Sequence, residues 1–168
     1  LVDTPRHDVG ALEVTEDDKT VAVATAEIKV SFDRHSGLMS VTDLRNGKVV
    51  AEETKEVNFG KGRTTFSLRN HDDEYFYGGG VQNGRFSHRG KRIEIVHTNS
   101  WTDGGVASPA PFYWSTKGYA AMPYTFKPGE YDFGSTDKST VTLTHDTSYL
   151  DMFLMVDSTP TALLRDYY

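Results

Sequence analysis

We read the fold class first from residues 20–50, TVAVATAEIKVSFDRHSGLMSVTDLRNGKVV. Apolar and polar residues alternate through residues 21–25 and again through residues 27–32, as they do in strands that bury one face. Gly37 follows a His-Ser pair, a sequence that favours a turn with positive φ. Asn46 and Gly47 form an Asn-Gly pair, which is typical of a tight hairpin. This part of the chain therefore predicts consecutive antiparallel strands.

Strand patterns recur over most of the remaining chain. Residues 52–63 are polar and contain glycine, and we interpret them as a loop or an edge. Further strands are predicted at residues 64–68, 74–77, 92–96, 112–116, 120–124, 131–134, 140–144 and 149–156. Many short strands with almost no helical periodicity indicate an all-β sandwich or barrel. Most of the aromatic side chains on these strands are expected in its core.

The two ends of the chain differ from the centre, so we divide the sequence into three parts. Residues 1–18 are polar and weakly patterned, and we interpret them as an N-terminal arm with one short strand. Residues 19–156 form the predicted β domain. Residues 157–168 begin with Asp-Ser-Thr before Pro160, which predicts a helix start. No capping glycine follows this helix, and we expect it to lead into further polypeptide.

The composition narrows the classes of function. A chain of 168 residues without cysteine suits one domain that needs no disulfide and has no thiolate metal site. The formal net charge of −6 argues against nucleic acid as a partner, since phosphate binding needs a basic face. No apolar run approaches the roughly 20 residues of a membrane span, and no signal-peptide pattern is visible. We therefore expect no membrane partner, and the compartment stays open.

Motifs for catalysis or cofactor binding are missing. The spacing of Gly78, Gly80 and Gly84 is not that of a dinucleotide loop, so we expect these glycines to mark close backbone approach at a bulge. His71 and the two aspartates after it predict a solvated turn rather than a metal site. The 24 acidic residues allow many carboxylate pairs, and none can be singled out as catalytic. We expect no catalytic residue, no metal and no cofactor in this chain.

The most informative segment for binding is NSWTDGGVASP, residues 99–109, which we predict to be a long loop between strands. It combines Trp101, Asp103 and flexible glycines. Sugar sites use this mixture, because the C–H face of a pyranose packs on an indole ring while its hydroxyls bond to carboxylates. The competing interpretation is structural: Trp101 would pack over the sandwich end and Asp103 would cap a turn. Composition alone does not separate the two.

Several motifs, in their order and spacing, resemble the N-terminal domain of glycoside hydrolase family 31. That family includes α-glucosidases, α-xylosidases and α-glucosyltransferases. The motifs are YFYGGGVQ at residues 75–82, RGK at 89–91, Asn99, PFYWS at 111–115, KGY at 117–119, YDFG at 131–134, and the tail DSTP through RDYY at 157–168. The resemblance covers residues 20–168. Each motif is weak alone, and their common order makes the resemblance specific.

The resemblance implies an antiparallel β-sandwich of the galactose-mutarotase type with a short C-terminal helix. It also implies a noncatalytic domain whose tail leads into a catalytic barrel carrying the reactive aspartates, so the chain alone is expected to be inactive. In such enzymes a sandwich loop helps form the sugar pocket, and residues 99–108 correspond to it by position. We carry over Trp101 and Asp103 as substrate contacts. The partners expected are an α-linked oligosaccharide and the barrel of the same polypeptide.

Two other functions stay open on the sequence. One is a free-standing carbohydrate-binding module. The other is a mutarotase-like sugar epimerase, which would need a His acid and a Glu base facing one sheet. Glu94 and His97 lie three residues apart on one predicted strand and so project to opposite faces, which counts against them as that pair.

Overall fold

The protein is seen in a computed structural model that describes residues 10–168. Within these residues it contains thirteen β-strands, a single turn of 3-10 helix at Gly60–Gly62 and one α-helix. All strand pairs are antiparallel. The all-β prediction is therefore confirmed. The chain divides into two compact units, Leu1–Glu52 and Glu53–Tyr168, and each is described by itself. Part of the predicted N-terminal arm, residues 1–9, lies outside the described residues.

The first unit is a meander of hairpins. Its strands are β1 (Glu13–Glu16), β2 (Thr20–Ala24), β3 (Ile28–Asp33), β4 (Met39–Asp43) and the first part of β5 (Lys48–Asn58). An aspartate begins each of three turns: Asp17, Asp33 and Asp43 accept hydrogen bonds from backbone N–H groups two or three residues later. Gly37 and Gly47 have the positive φ values that the turns require, +73° and +72°. Local turn chemistry therefore sets this meander.

Strand β5 is longer than the sequence indicates. Its residues through Glu52 pair with β4, and residues from Glu53 onward pair with the next strand along the chain. The strand runs to Asn58, inside the segment that we predicted to be a loop or an edge. The pairing shifts register twice in its second half. Backbone pairing thus extends a strand whose side chains carry no alternating pattern.

The second unit contains two sheets. One holds the second part of β5 and the strands β6 (Thr64–Arg69), β12 (Thr140–His145), β11 (Gly129–Phe133) and β8 (Arg92–Ile95), in that order. The other holds β13 (Met152–Val156), β10 (Tyr119–Pro123), β9 (Val106–Ser115) and β7 (Phe76–Gln82). The strands switch between sheets along the chain, so the core between them depends on contacts that are distant in sequence.

Aromatic rings from the two sheets meet in this core. Phe76 of β7 stacks on Phe133 of β11, with ring centroids 4.8 Å apart. Tyr113 of β9 contacts Phe133 edge-on at 5.1 Å and Tyr131 at 5.9 Å. These side chains are fully buried, as the aromatic pattern predicted. Face-to-face packing of two antiparallel sheets confirms the β-sandwich.

The helix α1 (Pro160–Tyr167) covers part of the outer face of the β13-β10-β9-β7 sheet. The Thr159 side chain accepts a hydrogen bond from the Ala162 backbone N–H at 3.2 Å, which caps the helix at the predicted start. Leu163 is buried, and Tyr167 stacks on Phe112 of β9 at 4.2 Å. Over residues 10–168, this helix and every other helical segment fall short of the length and apolar character of a membrane span.

A buried polar cluster, here called the buried seam, joins the turn before β7 to β9 and β10. It consists of Glu74, Tyr113, Ser115 and Tyr119, all buried. The Ser115 hydroxyl donates to Oε1 of Glu74, and the His71 backbone N–H donates to Oε2 at 3.0 Å. The Tyr113 hydroxyl donates to the Tyr119 hydroxyl at 3.4 Å. Burial raises the pKa of Glu74, because the apolar surroundings disfavour its charged form.

Candidate functional site

The loop that the sequence singled out runs from residue 96 to residue 105, between β8 and β9, and is called here the 96–105 loop. It is shorter than predicted. Residues 106–109 belong to β9 because Val106, Ser108 and Pro109 pair with β7. Pro109 sits where the register shifts, a position at which a missing N–H costs no ladder hydrogen bond.

Asn83, just after β7, anchors this loop. Its backbone N–H donates to the Gly105 carbonyl at 3.0 Å, and its own carbonyl accepts from the Gly104 N–H at 2.9 Å. Its side-chain amide donates to the Ser100 carbonyl at 2.7 Å. Three hydrogen bonds from one residue satisfy loop backbone groups that would otherwise need water. Backbone hydrogen bonds to Asn83 therefore help to hold the shape of the loop.

A glycine next to the anchor lets the loop approach closely. Gly84 has φ +68°, and a Cβ added there would lie 1.7 Å from Oδ1 of Asp103. A larger residue at position 84 would require the Asp103 carboxylate, the end of an exposed side chain, to move. Gly84 thus helps to determine where the Asp103 carboxylate sits.

Trp101 and Asp103 are both exposed on the loop. The Trp101 side chain is 74% exposed, and its indole N–H donates to Oδ1 of Asn99 at 3.0 Å. Asn99 has a positive φ of +50°. Among residues 10–168, the Asp103 carboxylate forms no hydrogen bond or salt bridge. The structural interpretation required Trp101 to pack over the end of the sandwich, and its exposure contradicts this. The loop presents an orientated aromatic ring and an unpaired acceptor together.

No group of three or more potential metal ligands comes together within residues 10–168. At the His71 turn, Asp73 pairs instead with Lys117, with 2.6 Å between Oδ1 and Nζ. Glu94 and His97, the pair considered for an epimerase, do not lie on the same element, because β8 ends at Ile95. Glu94 therefore lies on the strand and His97 in the 96–105 loop, which corrects their predicted placement on one strand.

A second concave feature was not recognised from the sequence. We call it the aromatic pocket, and it is an open depression of about 470 Å³ on the second unit. Its lining consists of Tyr77, Gly78, Gly80, Arg85, Phe86, His88 and Trp114. Sequence analysis had assigned Tyr77 and Trp114 to the core or to strand pairs. They are a cross-strand pair of β7 and β9, but their side chains are only partly buried.

The glycines at the pocket confirm the predicted close approach. A Cβ at Gly78 would lie 2.6 Å from the Phe112 carbonyl oxygen, and one at Gly80 would lie 2.1 Å from that of Ser108. The β7–β9 pairing shifts register between these two glycines, as expected of a bulge. Glycine is therefore needed there for strand packing, not for nucleotide binding.

The two packed antiparallel sheets define the class of the protein as a β-sandwich domain. The family follows from sequence comparison. Residues 3–132 match the glycosyl hydrolase 31 N-terminal galactose mutarotase-like domain. The chain belongs to this family, which confirms the resemblance seen in its motifs.

Solved structures of the same fold include larger enzymes. A dextranase of glycoside hydrolase family 31 from Flavobacterium johnsoniae, in complex with isomaltotriose, has a TM-score of 0.86 and 16% identity over 93% of this chain and 20% of that chain. A family 31 α-xylosidase from a soil metagenome, in complex with xylose, has a TM-score of 0.81 and 20% identity over 98% and 27%. A cycloalternan-forming enzyme from Listeria monocytogenes, in complex with a pentasaccharide substrate, has a TM-score of 0.78 and 17% identity over 93% and 16%. The chain thus spans a small part of these enzymes.

Proposed function

We propose that this chain is a noncatalytic domain of a longer enzyme that acts on α-linked sugars, and that the 96–105 loop supplies one wall of its sugar pocket. The reactive carboxylates would belong to a catalytic barrel of the same polypeptide. The observation that carries the proposal is the joint exposure of Trp101 and Asp103 on a loop whose backbone is held by Asn83. The family and the sugar-bound enzymes of the same fold support it.

In this proposal Asp103 accepts hydrogen bonds from sugar hydroxyls. Its carboxylate needs no rearrangement to do so, because it has no partner to give up among residues 10–168. Trp101 supplies a flat apolar surface for the C–H face of a pyranose. Its indole N–H is already bonded to Asn99, which holds the ring in one orientation before sugar binds. Both residues position substrate, and neither takes part in bond cleavage.

The test is a substitution in the longer polypeptide that the proposal requires. Asp103→Asn removes the charge of the acceptor while keeping its size. A hydrogen bond to a charged group contributes roughly 1.5–3 kcal/mol, so we expect kcat/KM for an α-linked oligosaccharide to fall by roughly ten- to a hundredfold. The matched control is Asp72→Asn, an exposed aspartate outside the loop, which should leave kcat/KM unchanged.

Equal kcat/KM values for the Asp103→Asn variant and the unmodified enzyme would remove the substrate role from this residue. Titration of the 168-residue chain with malto- and isomalto-oligosaccharides tests the alternative of a free-standing binding module. We expect no affinity tighter than millimolar, since the barrel side of the pocket is not part of these residues. Micromolar affinity would favour the binding module.

A further inference from the structure

We propose that the aromatic pocket is a second sugar-binding site, which takes a single neutral pyranose unit of an oligosaccharide. Its volume of about 470 Å³ falls within the range of known small-molecule sites, roughly 300–1,000 Å³. None of its lining residues belongs to the 96–105 loop. The site thus goes beyond the proposed function, and it rests on that function only for the choice of sugar used in its test.

Three aromatic rings form the walls. Tyr77 and Trp114 stack with centroids 4.4 Å apart and planes 21° apart. Phe86 meets Tyr77 edge-on at 5.5 Å and 70°, yet 86% of Phe86 is exposed. A phenylalanine held so far into solvent beside two other rings makes an apolar surface that a ligand would cover. The C–H face of a pyranose fits such a surface.

Arg85 supplies hydrogen-bond donors at the rim. One guanidinium nitrogen, Nη1, donates to the Arg92 carbonyl at 2.6 Å, which holds the side chain in place. A guanidinium carries five N–H groups in a rigid plane, so others are available to sugar hydroxyl oxygens. Holding the group beforehand reduces the entropy lost when a ligand binds.

His88 also lines the pocket, and it is buried. Its Nε2 lies 2.8 Å from the Gly78 carbonyl oxygen, so this nitrogen carries the proton and donates it. Burial lowers the pKa of His88, which keeps the ring neutral and Nδ1 unprotonated near pH 7. Nδ1 is buried and has no hydrogen-bond partner among residues 10–168. Because Nδ1 is shielded from solvent, the hydrogen bonds to a ligand would come from Arg85.

This set of groups favours a neutral sugar over other ligands. Phosphate would use Arg85 but would gain nothing from three aromatic rings. A purely apolar protein segment would cover Phe86 but would leave the remaining N–H groups of Arg85 without an acceptor, which costs free energy. A pyranose provides a C–H face for the aromatic rings and hydroxyl oxygens that accept from Arg85, and so matches both accessible features of the pocket.

The two tryptophans of the chain make the site testable by itself. Trp114 lines the aromatic pocket and Trp101 lies on the 96–105 loop, so a ¹H–¹⁵N correlation spectrum reports each site through a separate indole N–H signal. We would titrate the ¹⁵N-labelled 168-residue chain with isomaltotriose. The expected result is a saturable shift of the Trp114 indole signal with a millimolar Kd.

Substitutions then test whether the shift of the Trp114 signal comes from sugar bound in the aromatic pocket. Phe86→Ala and Arg85→Gln should each weaken the Kd read at Trp114 by roughly tenfold, the size expected for an important contact residue. Phe126→Ala is the matched control, because Phe126 is equally exposed but lies outside the pocket, and it should leave the Kd unchanged. Trp101→Phe should also leave the Trp114 response intact, which separates this site from the proposed function.

Several results would overturn the proposal. One is a Trp114 signal that does not move up to tens of millimolar isomaltotriose, or that moves equally in the Phe86→Ala variant whose spectrum shows a native fold. Another is concentration-dependent self-association of the chain without sugar that Phe86→Ala abolishes, since this would make the pocket a protein-docking surface. Shifts confined to the Trp101 signal would support the proposed function and reject the second site.

Discussion

Glu74 and Asp103 are both carboxylates in loops of the second unit, yet their surroundings are opposite. Glu74 is fully buried, and both its oxygens accept hydrogen bonds from Ser115 and from the His71 backbone. Asp103 is exposed, and within residues 10–168 its oxygens accept none. In the buried seam, side chains satisfy one another and hold the sandwich together. In the 96–105 loop, Asn83 bonds to three backbone groups, and the Asp103 carboxylate is left without a partner among residues 10–168. Stability and binding are therefore expected to respond to different residues.

The largest expected effect comes from the core that surrounds the buried seam. Phe133 is fully buried and contacts Phe76, Tyr113 and Tyr131. Phe133→Ala should lower the free energy of unfolding by about 3–5 kcal/mol, because it removes apolar contacts and leaves a cavity. Phe126→Ala, at a side chain that is 91% exposed, should change it by less than about 0.5 kcal/mol. Urea denaturation measures both, and similar losses would contradict the placement of the core.

The next effect concerns Glu74 itself. Glu74→Ala leaves the Ser115 hydroxyl and the His71 N–H without their acceptor in a buried position, and we expect a loss of about 3 kcal/mol in the free energy of unfolding. Glu56→Ala, at an exposed position of β5, serves as the control and should cost little. A loss no larger than that of the control would show that the buried seam does not stabilise the sandwich.

The pH dependence of stability gives a further test of the seam. The pKa of Glu74 is raised above its ordinary value of 4.5 in the folded protein, so the folded state holds the proton more tightly than the unfolded chain. The contribution of Glu74 to stability is therefore fully present below pH 4.5 and decreases as the pH rises through the raised pKa. The Glu74→Gln variant should lack this decrease. Parallel stability curves for the two proteins between pH 4 and pH 8 (roughly the working range of most domains) would contradict the inferred burial effect.

The smallest effect on stability is expected from alanine substitutions at two glycines with positive φ. Their comparison distinguishes backbone strain from contact with the loop. Gly84 and Gly90 have nearly equal φ values, +68° and +69°, but a Cβ at Gly84 would meet Asp103 while one at Gly90 would meet nothing within 4 Å. Alanine at either site should cost about 1–2 kcal/mol through its positive φ. Only Gly84→Ala should also force the Asp103 carboxylate to move, and the Trp101 indole signal on the same loop is expected to report this change. Equal Trp101 signals in both variants would show that Gly84 does not position Asp103.

Much of the sandwich could be predicted because its signals are local. Alternating residues marked most of the strands, and turn residues such as Gly37, Gly47 and Asp33 marked the hairpins. The prediction of strand bounds was wrong where pairing with a neighbouring strand extends a strand beyond the segment that shows an alternating pattern. Residues 53–58 became part of β5 through pairing with β6, and residues 106–109 became part of β9 through pairing with β7. Neither segment carries the alternation that identifies a strand.

The functional residues likewise fall into those that the sequence indicated and those that only the structure showed. Trp101 and Asp103 are close in sequence, so their combination was visible without a structure. The aromatic pocket was not, because Tyr77 and Trp114 are brought together only by the register of β7 on β9. The same holds for Asn83 and Gly84, whose role depends on contact with a loop that follows another strand. No motif marks residues that become neighbours across two sheets.

By itself, the sequence determined most of the strands, the turns and the family, because side-chain alternation and the φ preferences of glycine and asparagine act over a few residues. The tertiary structure alone decided which carboxylate is buried, which is free, and which aromatic rings form a pocket. The physical reason is that burial and hydrogen-bond satisfaction depend on groups that the chain brings together only when its two sheets pack.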